Sequence, residues 1–210
     1  MTYADYLPPL FLAWSIQAVG IASPGPSVAL ILGVATGQGR APSLITALGV
    51  ACGSAVLATA TVVGLAALFA QVAELMTIVR FAGAAYLAWL AYKAFRKAAH
   101  PPALDVAAVK RESAWRTGLA GFALQVSNPK AIMFWLAIAS LGGVGDAPLP
   151  VVVLFVVVSS INSFIGHGAY ALLLSSGPVR RAYGRIRRWI EGALGCFFLF
   201  ASFKLATTKV

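Results

Sequence analysis

Few side chains in this chain of 210 residues are equipped for chemistry, and the clearest of them stand beside prolines. Pro24-Gly25-Pro26, flanked by Ser23 and Ser27, interrupts the apolar run IASPGPSVALILG, and Asn128-Pro129-Lys130 interrupts a second run, VSNPKAIMFWL. Proline has no backbone N–H and its ring collides with the preceding turn, at about 3 kcal/mol or more in a helix interior. A break frees N–H and C=O groups, which a bilayer tolerates only where protein or a water-filled cavity satisfies them. The half-helix restarting near Ser27 carries a partial positive charge, worth about 0.3–1 kcal/mol toward an anion and up to about 2 kcal/mol when partly buried. A small carboxylate suits that end, with the Ser23 and Ser27 hydroxyls beside it.

The second break repeats the device. Asn128 is placed to cap the following half-helix through its side-chain oxygen. Lys130 is the sharper feature, because a lysine deep in a membrane costs about 2.5–3.5 kcal/mol on insertion scales and must face a cavity or a partner. The role expected of it is to neutralise a substrate carboxylate or to gate the site; the plain alternative is a lysine that snorkels to the interface. Further along, Ser159, Asn162 and Ser163 share one face of an apolar helix. That stripe either lines a cavity or bonds helices together, and the sequence leaves both open for Asn162. Histidine is the side chain that ordinarily titrates near neutrality, which makes His167 a candidate proton carrier. Glu191, just after an arginine cluster, is the other candidate, with a neighbouring arginine as its expected partner. Gln17 and Tyr86 are expected to bond or pack between helices. The histidines number two, His100 and His167, and neither H-E-x-x-H nor G-x-S-x-G occurs. No metal, cofactor or enzymatic activity is expected.

These groups must be held by membrane helices. The chain is 60% hydrophobic and 10% charged, with a mean hydropathy of +0.86, and a bilayer core needs about 20 apolar residues per helical span. The net charge of +10 sits mostly in Lys93–Arg116 and Arg180–Arg188, between apolar runs and without interleaved aromatics. That placement fits the excess of Lys and Arg in cytoplasmic loops and not a nucleic-acid surface. Cys52 and Cys196 lie inside apolar runs and imply no disulfide framework. The N-terminus carries Asp5 and no positive n-region, so it reads as mature protein and not as a signal peptide.

The expected fold is all-α, with six transmembrane helices in a single domain. The spans run near 7–35 (interrupted at Pro24–Pro26), 43–69, 76–95, 116–141 (interrupted at Asn128–Pro129), 150–174 and 189–206. A basic loop from Lys97 to about Ser113 separates repeat one, about 1–97, from repeat two, about 114–210. Basic residues mark the loops after spans one, three and five, whereas Glu74 and Asp146 fall after spans two and four. Both termini are therefore expected outside, although Lys204 and Lys209 oppose this. Three helices per half is an odd number, so the halves would be inverted, and matched breaks in inverted halves point to a transport site. Gly33-x-x-x-Gly37 and Gly49-x-x-x-Gly53 permit close backbone approach; the sequence leaves open whether either makes a homodimer contact.

SPGPSVALIL, GQGRAPSLITALGVACG, RFAGAAYLAWLAYKAFRKA and NPKAIMFWL together resemble the LysE/RhtB family of amino-acid exporters, over essentially the whole chain. The pattern is nearer the homoserine/threonine/leucine branch than the lysine/arginine branch. Ser43 departs from it, since the family more often has glycine after the first cytoplasmic loop. The resemblance implies six helices in a bacterial inner membrane and export of amino acids or close derivatives, by proton antiport. Substrate would bind at Ser23, Pro24, Gly25, Pro26, Ser27, Asn128, Pro129, Lys130 and Asn162, with His167 or Glu191 coupled to protons. The alternatives are a thiol-electron carrier of a related fold, which would need a cysteine beside each break, and a small-solute channel.

Overall fold

The computed structural model describes residues 3–69, 73–101, 109–140 and 147–207. Among these described residues a 3-10 turn at Tyr3–Tyr6 is followed by eight α-helices: α1 Leu7–Ala22, α2 Pro26–Gly37, α3 Arg40–Phe69, α4 Ala73–Ala99, α5 Ala114–Ser127, α6 Pro129–Ser140, α7 Leu149–Leu173 and α8 Gly177–Thr207. No strand occurs among the described residues. Within α3 the stretch 40–64, together with α7 and α8, is long and apolar enough to cross a bilayer; α1 and α2, bent by 51°, make a fourth crossing if counted as one span.

Both breaks arise where a following proline disfavours the helical region. Ser23, before Pro24, has φ −79° and ψ 108°. Gly25, before Pro26, is extended at φ −140° and ψ −163°. Asn128, before Pro129, has φ −73° and ψ 112°. In each break a proline then opens the next helix, where its missing N–H removes nothing, and Ser27 and Lys130 follow in the first turn.

Three boundaries differ from the sequence expectation. Arg180–Arg188 is not a loop but the first turns of α8. Pro178 sits at the second helical position, where proline is tolerated, and no second proline follows in the helix; arginine is itself a good helix former. Glu74 and Lys97, expected in loops, lie within α4. Asp146, Lys209 and residues 102–108 of the expected basic loop lie outside the described residues.

The main core gathers Leu10, Phe134, Trp135, Phe155 and Phe198 from α1, α6, α7 and α8. Phe134 meets Phe198 edge-on at 5.5 Å and Trp135 meets Phe155 at 5.9 Å, the edge-to-face arrangement aromatic quadrupoles favour. The outer faces are apolar as well: Val63, Ile165, Phe200 and Phe203 are exposed. Apolar side chains turned outward in such number suit a lipid environment.

Close approach of α3 and α5 depends on glycine. A Cβ on Gly49 would collide with the Gly118 carbonyl oxygen, and one on Gly53 would stand 2.8 Å from Gln125 Cβ. The Gly49-x-x-x-Gly53 pair therefore packs within the chain. At Gly64 a Cβ would meet open space. Overpacking of this kind costs about 1–3 kcal/mol. Gly49→Ala is expected to lower the thermal unfolding midpoint in detergent by several degrees, and Gly64→Ala to leave it unchanged or raise it.

Candidate functional site

The two breaks meet inside the bundle. Lys130, in the first turn of α6, reaches across to the end of α1, where its Nζ donates to the Gly20 carbonyl at 3.0 Å and to the Ser23 carbonyl. Gly25 makes room for this side chain, since a Cβ there would lie 3.2 Å from Lys130 Cδ. Two further carbonyls at the same break are taken: the Tyr170 hydroxyl donates to Ala22 O at 2.8 Å, and Lys97 Nζ donates to Pro24 O at 3.2 Å. The last carbonyls of a helix have no partner within it and carry its negative end, so ammonium groups are the favoured caps. The cations thus contact the carboxyl end of α1, opposite in sign to the α2 amino end that the sequence singles out for an anion.

The amino ends of the restarted helices are joined through side chains. Asn128 Oδ1 accepts from the Lys130 amide at 3.1 Å, the cap expected of it, and its Nδ2 donates to Ser27 Oγ at 3.4 Å. Ser27 Oγ donates to Gln125 Oε1 at 3.0 Å, and Gln125 Nε2 donates to Ser54 Oγ at 3.0 Å. Ser54 and Ser163 share a hydrogen bond of 2.9 Å. Ser163 Oγ in turn lies 3.3 Å from His167 Nδ1, which is 2.9 Å from the Ser163 carbonyl. Ser27, Ser54, Gln125, Asn128, Ser163 and His167 are all buried. One polar chain therefore runs from the second break through the first to α7.

Cavities lie on either side of the crossing. The smaller, about 60 Å³, is lined by Gln17, Ser27, Ser54, Gln125, Phe134 and His167. The larger, about 220 Å³, is lined by Pro24, Pro26, Trp89, Lys93, Lys97 and Glu191. Ser23, Gly25, Asn128 and Lys130 border both, and Pro129 borders the larger. Asn162 borders neither; its Nδ2 donates to Trp14 O at 3.2 Å and to Gln17 Oε1 at 2.9 Å, while Gln17 Nε2 donates to Ser159 O at 2.9 Å. Tyr86 lines the larger cavity beside Trp89, with ring centroids 5.3 Å apart. Glu191 is fully buried, 3.7 Å from Lys97 Nζ and 3.9 Å from Arg187 Nε, the expected arginine partner.

Gln125, Ser54, Lys97 and Tyr170 were not singled out by sequence. Gln125 stands three residues before Asn128 in the same apolar run, a spacing that could have flagged it. Ser54 and Tyr170 carry no comparable mark, and Lys97 passes for a loop cation. Among the described residues no group of His, Cys, Asp or Glu could hold a metal ion. Cys52 and Cys196 lie on α3 and α8 with exposed, free thiols, away from both breaks.

An all-helical chain with apolar outer faces and a charged, cavity-flanked crossing of two broken helices has the build of a membrane translocator, a transport protein and not an enzyme. The chain belongs to the LysE type translocator family, whose model matches residues 18–209. It is 30% identical over 188 residues to the threonine efflux protein of Escherichia coli (strain K12), covering 87% of this chain and 90% of that one. It is 29% identical to the threonine efflux protein of Salmonella typhi, covering 90% and 92%. The leucine efflux protein of Enterobacter sp. (strain 638) is 32% identical over 122 residues, 54% of each chain. No solved structure matches the chain. Membership makes it a multi-pass protein of the bacterial inner membrane.

Replacing Gln125 by leucine removes the acceptor of the buried Ser27 hydroxyl and one of the two partners of Ser54, and an unsatisfied buried polar group costs about 1–3 kcal/mol. Gln125→Leu is expected to destabilise the protein by that amount in detergent unfolding. Combined with Ser54→Ala it should cost less than the sum of the two single changes, because both act on one hydrogen bond.

Proposed function

We propose that this protein is a secondary exporter of amino acids or close derivatives, driven by proton antiport and working by alternating access. The observation that carries this reading is the crossing of the two breaks, where Lys130 of one caps the carbonyls of the other between two cavities. Discontinuous helices that present backbone groups inside a bundle are the usual material of a carrier's binding site. The threonine and leucine efflux relatives support a small amino acid as substrate.

In this proposal the chain is one domain of six spans, α1/α2, α3, α4, α5/α6, α7 and α8, arranged as two inverted repeats of three. The packing supports such an exchange. α3 lies against α7 and α4 against α8, and the α3–α5 contact is answered by α7 against α1. Both termini lie outside, and the arginines of early α8 face the cytoplasm. Substrate occupies the crossing, met by Ser23, Pro24, Gly25, Pro26, Ser27, Asn128, Pro129 and Lys130; Asn162 acts at one remove, by holding Gln17. His167 at the smaller cavity and Glu191 at the larger are the candidate proton carriers. A thiol-electron carrier is disfavoured by cysteines that stand at neither break. Saturable, gradient-dependent flux separates the carrier from a channel.

The test is efflux of labelled L-threonine and L-leucine from proteoliposomes, read beside medium amino acids in cells expressing the protein. Wild type is expected to accelerate export under a proton gradient. Pro26→Ala and Lys130→Gln are expected to reduce it at least tenfold at normal insertion, and wild-type export by Lys130→Gln would remove Lys130 from the site. His167→Gln is expected to flatten the dependence on the pH gradient; an unchanged dependence assigns coupling to Glu191.

A further inference from the structure

The larger cavity holds an unusual carboxylate. Glu191 is fully buried, yet neither of its oxygens receives a hydrogen bond among the described residues. Its cations stand at 3.7 Å and 3.9 Å, beyond the 2.7–3.2 Å of an N–H···O bond. An ion pair out of water is favourable only when hydrogen bonds satisfy the remaining lone pairs. Here the attraction is present and the hydrogen bonds are missing, which is the condition of a site prepared for a donor that is not part of the chain.

The surroundings define that donor. Glu191 borders a cavity of about 220 Å³ together with Lys93, Lys97 and Lys130. Water's share of liquid volume is about 30 Å³, so the space is several waters in size. The Lys97 side chain is one-third exposed and spans two contacts, the Pro24 carbonyl and Glu191. A ligand ammonium group has three N–H donors with which to fill the unbonded carboxylate lone pairs. A carboxylate on the same ligand would take the lysine ammoniums, which outnumber the acid on this wall. Tyr86, Trp89 and Leu90 supply an apolar face for the remainder of the molecule.

We infer that Glu191 and Lys97 form the head-group site for a free α-amino acid, with Glu191 receiving the ammonium and Lys97 the carboxylate. The pair opens to admit the zwitterion, and each half of the pair exchanges a distant partner for a hydrogen-bonded one. The inference rests on the exporter reading for its transported substrate, but binding tests it by itself. It also gives Lys97, at the end of α4, the task of joining the α1 break to α8 when no substrate is bound.

The experiment is isothermal titration of the purified full-length protein in detergent with three ligands: L-threonine, N-acetyl-L-threonine (no ammonium) and L-threonine methyl ester (no carboxylate). Wild type is expected to bind threonine at least tenfold more tightly than either analogue. Glu191→Gln should narrow the preference over the acetyl analogue below threefold and keep the preference over the ester. Lys97→Gln should do the reverse, and Lys97→Arg should retain both preferences. Thermal unfolding of each variant identifies loss of fold, in which case Glu191→Asp and Lys97→Arg are titrated in its place. For Glu191→Asp the preference over the acetyl analogue should shrink and the preference over the ester should hold. Analogues binding as well as threonine, variants that weaken all three ligands alike, or no binding of threonine would overturn the inference. Flux measured alongside separates the two proposals: charge-matched binding without export sinks the exporter, and export without charge matching sinks the head-group site.

Discussion

The structure depends on how four carbonyl groups are satisfied. Where α1 stops, the carbonyls of Gly20, Ala22, Ser23 and Pro24 are taken by side chains from three other helices: Lys130 of α6, Tyr170 of α7 and Lys97 of α4. In lipid each of these carbonyls would be costly if left open. The bundle must therefore bring α4, α6 and α7 to one point, and two of the three donors are charged, as suits the negative end of a helix. Proline makes the break, and lysine makes it habitable.

Close helix contact follows from the same requirement. Gln125 links Ser27 of the first break to Ser54 of α3 only because α3 and α5 touch through Gly49, Gly53 and Gly118. Small residues at a helix interface let backbones approach, and polar side chains then bridge them. Packing and polar satisfaction are thus one arrangement here. Were α5 held further out by larger side chains, the polar chain from Asn128 to His167 would be cut in its middle.

The parts legible in sequence were those where a residue type is forced. Pro24, Pro26 and Pro129 dictate their breaks whatever surrounds them, and Lys130 had to face a partner because lipid excludes it. Asn128 as a cap and an arginine beside Glu191 followed from local spacing. What escaped was set by distance in the chain. Lys97 and Glu191 are far apart in sequence, and nothing local shows that the end of α4 lies against α8. Gln125 looked like any polar residue in an amphipathic turn until α3 supplied its partners. The start of α8 was misplaced because charge suggested a loop, whereas arginine continues a helix as readily as it leaves one. Asn162 was a toss between cavity and glue; the structure puts it on Gln17 and Trp14, away from both cavities.

The pre-proline geometry bears on how such a molecule moves. Ser23, Gly25 and Asn128 are all extended, and at Ser23 and Asn128 the ring that follows disfavours the helical region. The torsions at Ser23 and Asn128 are therefore confined, while Gly25, with no Cβ, leaves the first elbow more freedom than the second. Under the alternating-access proposal, a swing between the two faces of the membrane would be taken up chiefly where side chains, more than these backbone torsions, hold the parts together. The contact between Lys97 and Glu191, at 3.7 Å and with no hydrogen bond to the carboxylate, is the loosest of the fastenings between helices described above, and under that proposal the first to part.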